Sequence, residues 1–199
     1  MMEKIFINTL YLLALINPVS KISILSVFTQ QKEWKETFFI SLKATLVAIF
    51  ILVLLMFAGE FILNKIFQVD LYSLEIAGGI VLFWAGFGAL RKGIFFEHST
   101  QEEFSDISMV PLACPMIAGP ATITAVIALS INDGIIQTAV PTLLAIFINF
   151  ISMIFSISIG KILKKFNLLG ALIRLTGLIV MTMGVQMVIK GISVGLKLL

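Results

Sequence analysis

Charge is what this sequence has least of. Only 13% of its 199 residues are Asp, Glu, Lys or Arg, about half the ~25% of a soluble domain. A water-facing surface cannot be assembled from so few, so lipid must be the solvent for much of the chain. There is a single cysteine, Cys114, which excludes an internal disulfide, a CxxC redox pair and a thiolate metal site. The single histidine, His98, lies in a polar stretch and reads as a solvated loop residue. Without a second one, His-based metal sites and a Ser-His-Asp triad drop out. No nucleophile, base and orienting group cluster on one aqueous side, so the expectation is a protein that is not an enzyme and needs no cofactor.

What is present is apolar sequence: 59% hydrophobic residues and a mean hydropathy of +1.10. A bilayer core takes about 20 apolar residues per helical span. Runs of that kind fall at 5–28, 38–63, 73–90, 109–130, 135–162 and 168–189. In hydrocarbon an open strand would leave its amides unpaired, and these runs lack the alternation of a barrel, so the spans are helices. The expectation is an all-α, polytopic protein of six transmembrane helices forming one membrane domain over 1–199. Lys4 ahead of an apolar run has the look of a signal peptide. However, Asn17-Pro18 interrupts the run and no small-x-small cleavage site follows, so it reads as the first span.

The net charge of +3 does not point to nucleic acid. The basic residues sit in short loops, where they act as topology signals. Lys32, Lys35, Arg91, Lys92, Lys161, Lys164 and Lys165 fall on one side, with Lys43 just inside the second span. Lys4, Lys65, Lys190 and Lys197 fall on the other. The richer side is the cytoplasmic one, which puts both termini outside a cytoplasmic membrane.

Two halves of the chain, 1–95 and 108–199, resemble each other. The third span sets Gly78 and Ile80 against Gly177 and Ile179 of the sixth. Lys92-Gly93-Ile94 matches Lys190-Gly191-Ile192 with a one-residue slip. The first and fourth spans pair Pro18 with Pro120. An odd number of spans per half makes the second half enter the membrane from the opposite side, the inverted repeat of many secondary transporters.

Asn17-Pro18 and Gly119-Pro120 sit near the middle of their spans. Proline lacks an amide hydrogen and clashes with the preceding turn. Each pair is either a plain kink, which membrane helices tolerate, or a break that makes the helix discontinuous. A break would aim the positive end of a half-helix from Val19-Ser20-Lys21 and another from Ala121-Thr122-Ile123. Two such ends meeting would form an anion cradle suited to a carboxylate; the symmetry of the pair favours this reading. Ser20, Ser23, Thr122 and Thr124 can hydrogen-bond a polar solute or satisfy carbonyls freed by the prolines. Met116, Ile117 and Ile22 would supply apolar walls. Lys21 would neutralise a carboxylate, snorkel, or pair with Glu75. Glu75 and Arg174, at equivalent helix starts, read as interfacial anchors or an inter-repeat pair, and Lys43 and Glu60 as snorkelling end residues. Gln186 has no interfacial excuse and would line a cavity, with Gly78 and Gly79 beside it. Gly86, Gly88, Gly177 and Gly184 would let helices approach closely. The segment 97–106 reads as a solvated connection between the halves.

The segments INPVSKI, AGGIVLF, PLACPMIAGPATIT and GLIVMTMGVQMVIKGI stand in this order along the whole chain. Together they resemble the MarC family (UPF0056), which is neutral amino acid transporter-like. The resemblance implies six spans in two inverted repeats and secondary transport of small neutral amino acids such as glycine and alanine. It also implies broken helices at Asn17-Pro18 and Gly119-Pro120. The chain departs from the family at Ser20, where glycine is frequent, and at Lys21, where a neutral asparagine is common. The expected partners are such a solute and membrane lipid, and the expected coupling ion is Na⁺ or H⁺. No carboxylate falls near the midplane, which favours Na⁺ on backbone carbonyls or an uncoupled facilitator. An exporter or a channel for another small metabolite is the nearest alternative, and a non-transporting regulatory membrane protein is one of another class. Oligomeric state is not written in the sequence.

Overall fold

Helices carry the chain, as hydrocarbon demands of a backbone that must satisfy its own amides. The computed structural model describes residues 2–28, 34–93, 117–166 and 168–198, and among these no strand occurs. The elements are α1 (Met2–Ile16), α2 (Pro18–Phe28), α3 (Trp34–Phe61), a π-helical turn (Ile62–Phe67), α4 (Leu71–Lys92), α5 (Pro120–Asp133), α6 (Ile135–Ile154), α7 (Ser156–Lys165) and α8 (Leu169–Leu198). Among the described residues five stretches are long and apolar enough to cross a bilayer: Met2–Ser23, Trp34–Phe61, Leu71–Lys92, Ile135–Ile154 and Leu169–Lys197. Of the expected fourth span, 109–116 lies outside the described residues, as do the 97–106 connection, His98, Cys114 and Met116. The remainder is α5, whose 14 residues reach about 21 Å, some two-thirds of a hydrocarbon core.

Several expected boundaries move, each for a local reason. The second span runs past residue 63 through the π-helical turn to a left-handed Gln68 (φ 52°). The fifth span is distorted at Phe155 (φ −85°, ψ 6°), between α6 and α7, although the Phe155 amide still donates to the Ile151 carbonyl (3.1 Å) and its carbonyl accepts from Ile159 (2.9 Å). The sixth does not stop near Lys190. That lysine pairs with Glu75, and beyond it Gly191 and Gly195 of α8 still pack on Tyr72.

The most extensive helix pairing is α4 against α8. A Cβ added to Gly79 would lie 2.6 Å from the Gly184 carbonyl oxygen, and one on Gly184 would lie 2.6 Å from that of Gly79. Gly86 and Gly177 oppose each other in the same reciprocal way, with the Met181 amide 2.5 Å from the missing Gly86 Cβ. The order of these contacts makes the two helices antiparallel. Close backbone approach of this kind is how small residues drive helix association in lipid. Around this pair α1 packs on α6, α3 on α6, α2 on α7, and α5 on both α3 and α4. Leu12, Ile16, Leu52, Ile117, Ile146 and Met153 fill the interior, whereas Phe6, Phe50, Phe57, Trp84 and Phe147 point outward to where lipid would lie.

Candidate functional site

The first break is built by Asn17. Its amide donates to the Leu13 carbonyl (2.9 Å), closing α1. Its φ of 56° then turns the chain through the left-handed region, which asparagine enters more readily than most residues. The same residue caps α2. The Ser20 amide donates to the Asn17 carbonyl (3.2 Å) and to its Oδ1 (3.3 Å), and the Ser20 hydroxyl donates to the Asn17 carbonyl (2.7 Å). Pro18 at the first helical position has no amide to strand there. At the second break Gly119 is extended (φ −80°, ψ 167°) and Pro120 again opens the helix. No side chain caps α5, and the Thr124 hydroxyl donates to the Pro120 carbonyl (2.8 Å). Pro18 therefore follows an interruption and not a bend, and Pro120 opens its helix behind an extended Gly119.

The two breaks meet. Asn17, Ser20 and Lys21 from one, and Gly119, Pro120, Ala121 and Thr122 from the other, line one cavity of about 190 Å³. Leu15, Ile16, Val81, Leu82, Ala85 and Val180 close its apolar walls. Apart from the Ser20 amide, which Asn17 caps, the opening amides of α2 and α5 have no preceding turn to accept them, and the helix dipoles place positive potential at these ends. Lys21 is buried (2% exposed), and its ammonium donates to the Ile16 carbonyl at the end of α1. Asn17 Nδ2 is buried and has no hydrogen-bond partner among the described residues. Such a donor is costly to leave unpaired and suits an acceptor that arrives from outside. Among the described lining residues there is no Asp or Glu.

Other expected site residues lie elsewhere. Pro18 lines an adjoining crevice with Val19 and Thr176. Thr124 faces α4, where its Oγ1 would be 2.7 Å from a Cβ on Gly78. Gly79 is committed to Gly184, so both glycines serve packing beside the cavity and do not line it. Ile22 and Ile117 are buried but not among the lining residues. Lys21 does not pair with Glu75, because Glu75 accepts from Lys190 at 2.7 Å. Arg174 is likewise no partner of Glu75 and lies beside the turn at Gly93.

Gln186 lines a second, larger cavity of about 450 Å³, one level along toward the N-terminal ends of α1 and α4 and the C-terminal ends of α5 and α8. Asn8, Tyr11, Glu75, Asn132 and Lys190 share it. At its mouth Lys4 donates to Asp133 (2.6 Å) and Asn8 to the other Asp133 oxygen (3.3 Å). The Lys4 hydrogen bond holds the Asp133 carboxyl below the usual carboxylate range. Sequence reasoning missed Asn8, Tyr11 and Asn132, since single polar residues in apolar helices announce no common direction. The spacing of Glu75 in α4 against Lys190 in α8 was the available signal for their pairing. It also missed a buried polar set on α3, α6 and α7, with Thr37, Ser41, Thr45, Asn149 and Ser156. The turn-by-turn spacing of the first three was readable as one face. Among the described residues no three His, Cys, Asp or Glu side chains come together to hold a metal.

The chain matches the model of the MarC family of integral membrane proteins over residues 2–196. It is 35% identical to a UPF0056 membrane protein of Pyrococcus horikoshii over 191 residues, covering 96% of this chain and 94% of that one. A Bacillus subtilis UPF0056 membrane protein is 30% identical over 195 residues, covering 92% and 90%. One from Methanocaldococcus jannaschii is 30% identical over 187 residues, covering 90% and 91%. No solved structure matches it. Apolar helices long enough to span a bilayer, and a family match over nearly the whole length, make this chain a multi-pass member of the MarC family of integral membrane proteins.

Proposed function

We propose that the protein is a secondary carrier, not an enzyme, and that it moves small neutral amino acids of the size of glycine and alanine across the cytoplasmic membrane. The observation that carries this reading is the cavity where the two broken helices meet. It offers two half-helix N-termini, the unpartnered Asn17 Nδ2, the Thr122 hydroxyl and the Lys21 ammonium, a set of donors matched to a carboxylate. Its volume of about 190 Å³ is below the ~300–1,000 Å³ of drug-sized pockets, which favours a small solute.

An inverted repeat of six spans is part of the proposal. It is supported by the reciprocity of the contacts. Gly79 faces Gly184 as Gly177 faces Gly86, and α5 packs on α3 and α4 as α2 packs on α6, α7 and α8. The matching glycines, 79, 86 and 93 against 177, 184 and 191, keep one constant offset, so the slip in the sequence alignment is unnecessary. α2 and α5 start together at the cavity and run to opposite sides. In this reading α4 and α8 form the fixed frame, and the broken helices rock against it to expose the cavity alternately. The basic loops favour an outward-facing N-terminus and larger cavity in this reading, with Na⁺ or H⁺ as the driving gradient.

The test is uptake of labelled glycine and alanine into proteoliposomes under imposed Na⁺ or H⁺ gradients. Saturable, gradient-driven uptake is expected. Folded protein that takes up no neutral amino acid under either gradient would remove the substrate assignment.

A further inference from the structure

The cavity at the breaks leaves half of an amino acid unrecognised. Its donors suit a carboxylate, but among its described lining residues nothing carries negative charge to meet an ammonium group. The nearest carboxylate along the same four helices is Glu75, one level up, in the cavity of about 450 Å³. Glu75 is buried (5% exposed) and its partner is Lys190, whose side chain is about half exposed. Asn8, Tyr11, Asn132 and Gln186 complete the polar lining.

A structural role does not account for this pair. It joins α4 to α8, but those helices are already held backbone to backbone at Gly79–Gly184 and Gly86–Gly177. Burying a carboxylate beside an ammonium is in general no better for stability than apolar packing. What the pair does offer is two opposite charges side by side in a chamber of about 450 Å³. One of them sits on a long, flexible stem that can swing aside.

We propose that this outer cavity is a recognition site for small zwitterions, Glu75 receiving the ammonium group and Lys190 the carboxylate. The inference rests on the amino-acid reading of the substrate and adds the half of recognition that the inner cavity lacks. The selectivity follows from charge counting. A zwitterion inserted into the pair replaces one ion pair by two and leaves no charge alone. A simple carboxylate would take Lys190 and leave Glu75 buried without its partner, and a simple amine would do the reverse. Either leaves an unpaired charge, and the penalty is heavier for the buried Glu75 than for the half-exposed Lys190. The solute then passes Thr124 and Gly78, which lie between the two levels, and delivers its carboxylate to the helix N-termini.

The experiment is equilibrium binding of labelled alanine to the purified full-length protein, competed with unlabelled propionate and ethylamine, which are alanine without its amine and without its carboxylate. For the native protein neither competitor displaces alanine at hundredfold excess. Glu75→Gln keeps the shape and a hydrogen bond to Lys190. It is expected to weaken alanine at least tenfold and make propionate as good a competitor as alanine itself. Lys190→Gln gives the mirror result with ethylamine, and carries the test if Glu75→Gln does not fold. Thr122→Val, in the inner cavity, weakens alanine but still excludes both competitors. Unchanged affinity and unchanged exclusion in the folded Glu75→Gln and Lys190→Gln proteins would overturn the outer site and leave the carrier standing. Folded native protein that binds neither alanine nor glycine would overturn both.

Discussion

The α4–α8 pair and the broken helices α1–α2 and α5 solve opposite problems with the same apolar alphabet. In the pair, glycines at heptad spacing remove side chains from the contact, and two unbroken helices lie backbone against backbone. At the breaks, the left-handed Asn17 and the extended Gly119 open new helices whose first turns have no preceding turn to take their amides, and of these Asn17 takes that of Ser20. Hydrocarbon tolerates unpaired backbone only where it is enclosed or faces a cavity, and both breaks face one. The frame is thus the place where nothing can be added, and the breaks are the place where something is missing.

The sharpest way to break the frame is to fill it. Gly86→Leu would drive a side chain into the Met181 backbone, 2.5 Å from the new Cβ. Backbone cannot step aside as a side chain can, so the effect should exceed the ~1–3 kcal/mol of ordinary overpacking. Monodisperse folded protein in size-exclusion chromatography is expected to be lost. The same substitution at Gly88, where an added Cβ meets nothing within 4 Å, should be tolerated.

At the breaks the expectation reverses: stability holds while transport goes. Lys21→Met removes a buried charge and one donor to the Ile16 carbonyl. Those effects oppose each other, so thermal stability should change by no more than about 1 kcal/mol, whereas uptake should fall a hundredfold or more. Asn17→Gly keeps the left-handed turn and costs only a few tenths of a kcal/mol as a cap. It deletes the unpaired Nδ2, and uptake should fall about tenfold with the melting temperature unchanged.

Much of the frame and the breaks was legible in the sequence. Proline at 18 and 120 announced where α2 and α5 begin, and the glycines announced faces for close helix approach though not which helices would meet, because each acts through its own backbone. The ends of the spans were less legible. Lys190 looked like a membrane boundary, yet it pairs with Glu75 and α8 runs on to Leu198. The outer cavity was not legible, since its polar residues come from four helices and converge only after packing. Gly78 and Gly79 show the same limit: the residue type indicated closeness, but only the partner decides between a wall and a contact.

The smallest effect expected is at the mouth of the outer cavity. Lys4 lowers the Asp133 carboxyl's affinity for a proton, so this contact stabilises the fold above the ordinary Asp range and fades as pH falls through the depressed value. An exposed pair contributes about 1 kcal/mol or less. Asp133→Asn should therefore lower the melting temperature slightly at pH 7, and the difference from the native protein should narrow below about pH 4.

The central claim is that both breaks open on one substrate. It is tested most directly by placing a single cysteine at Ser20→Cys or Thr122→Cys in a Cys114→Ser background and following maleimide labelling with and without alanine. The account predicts that alanine protects both positions over the same concentration range. Protection at one position and not the other, or at different concentrations, would contradict a shared site.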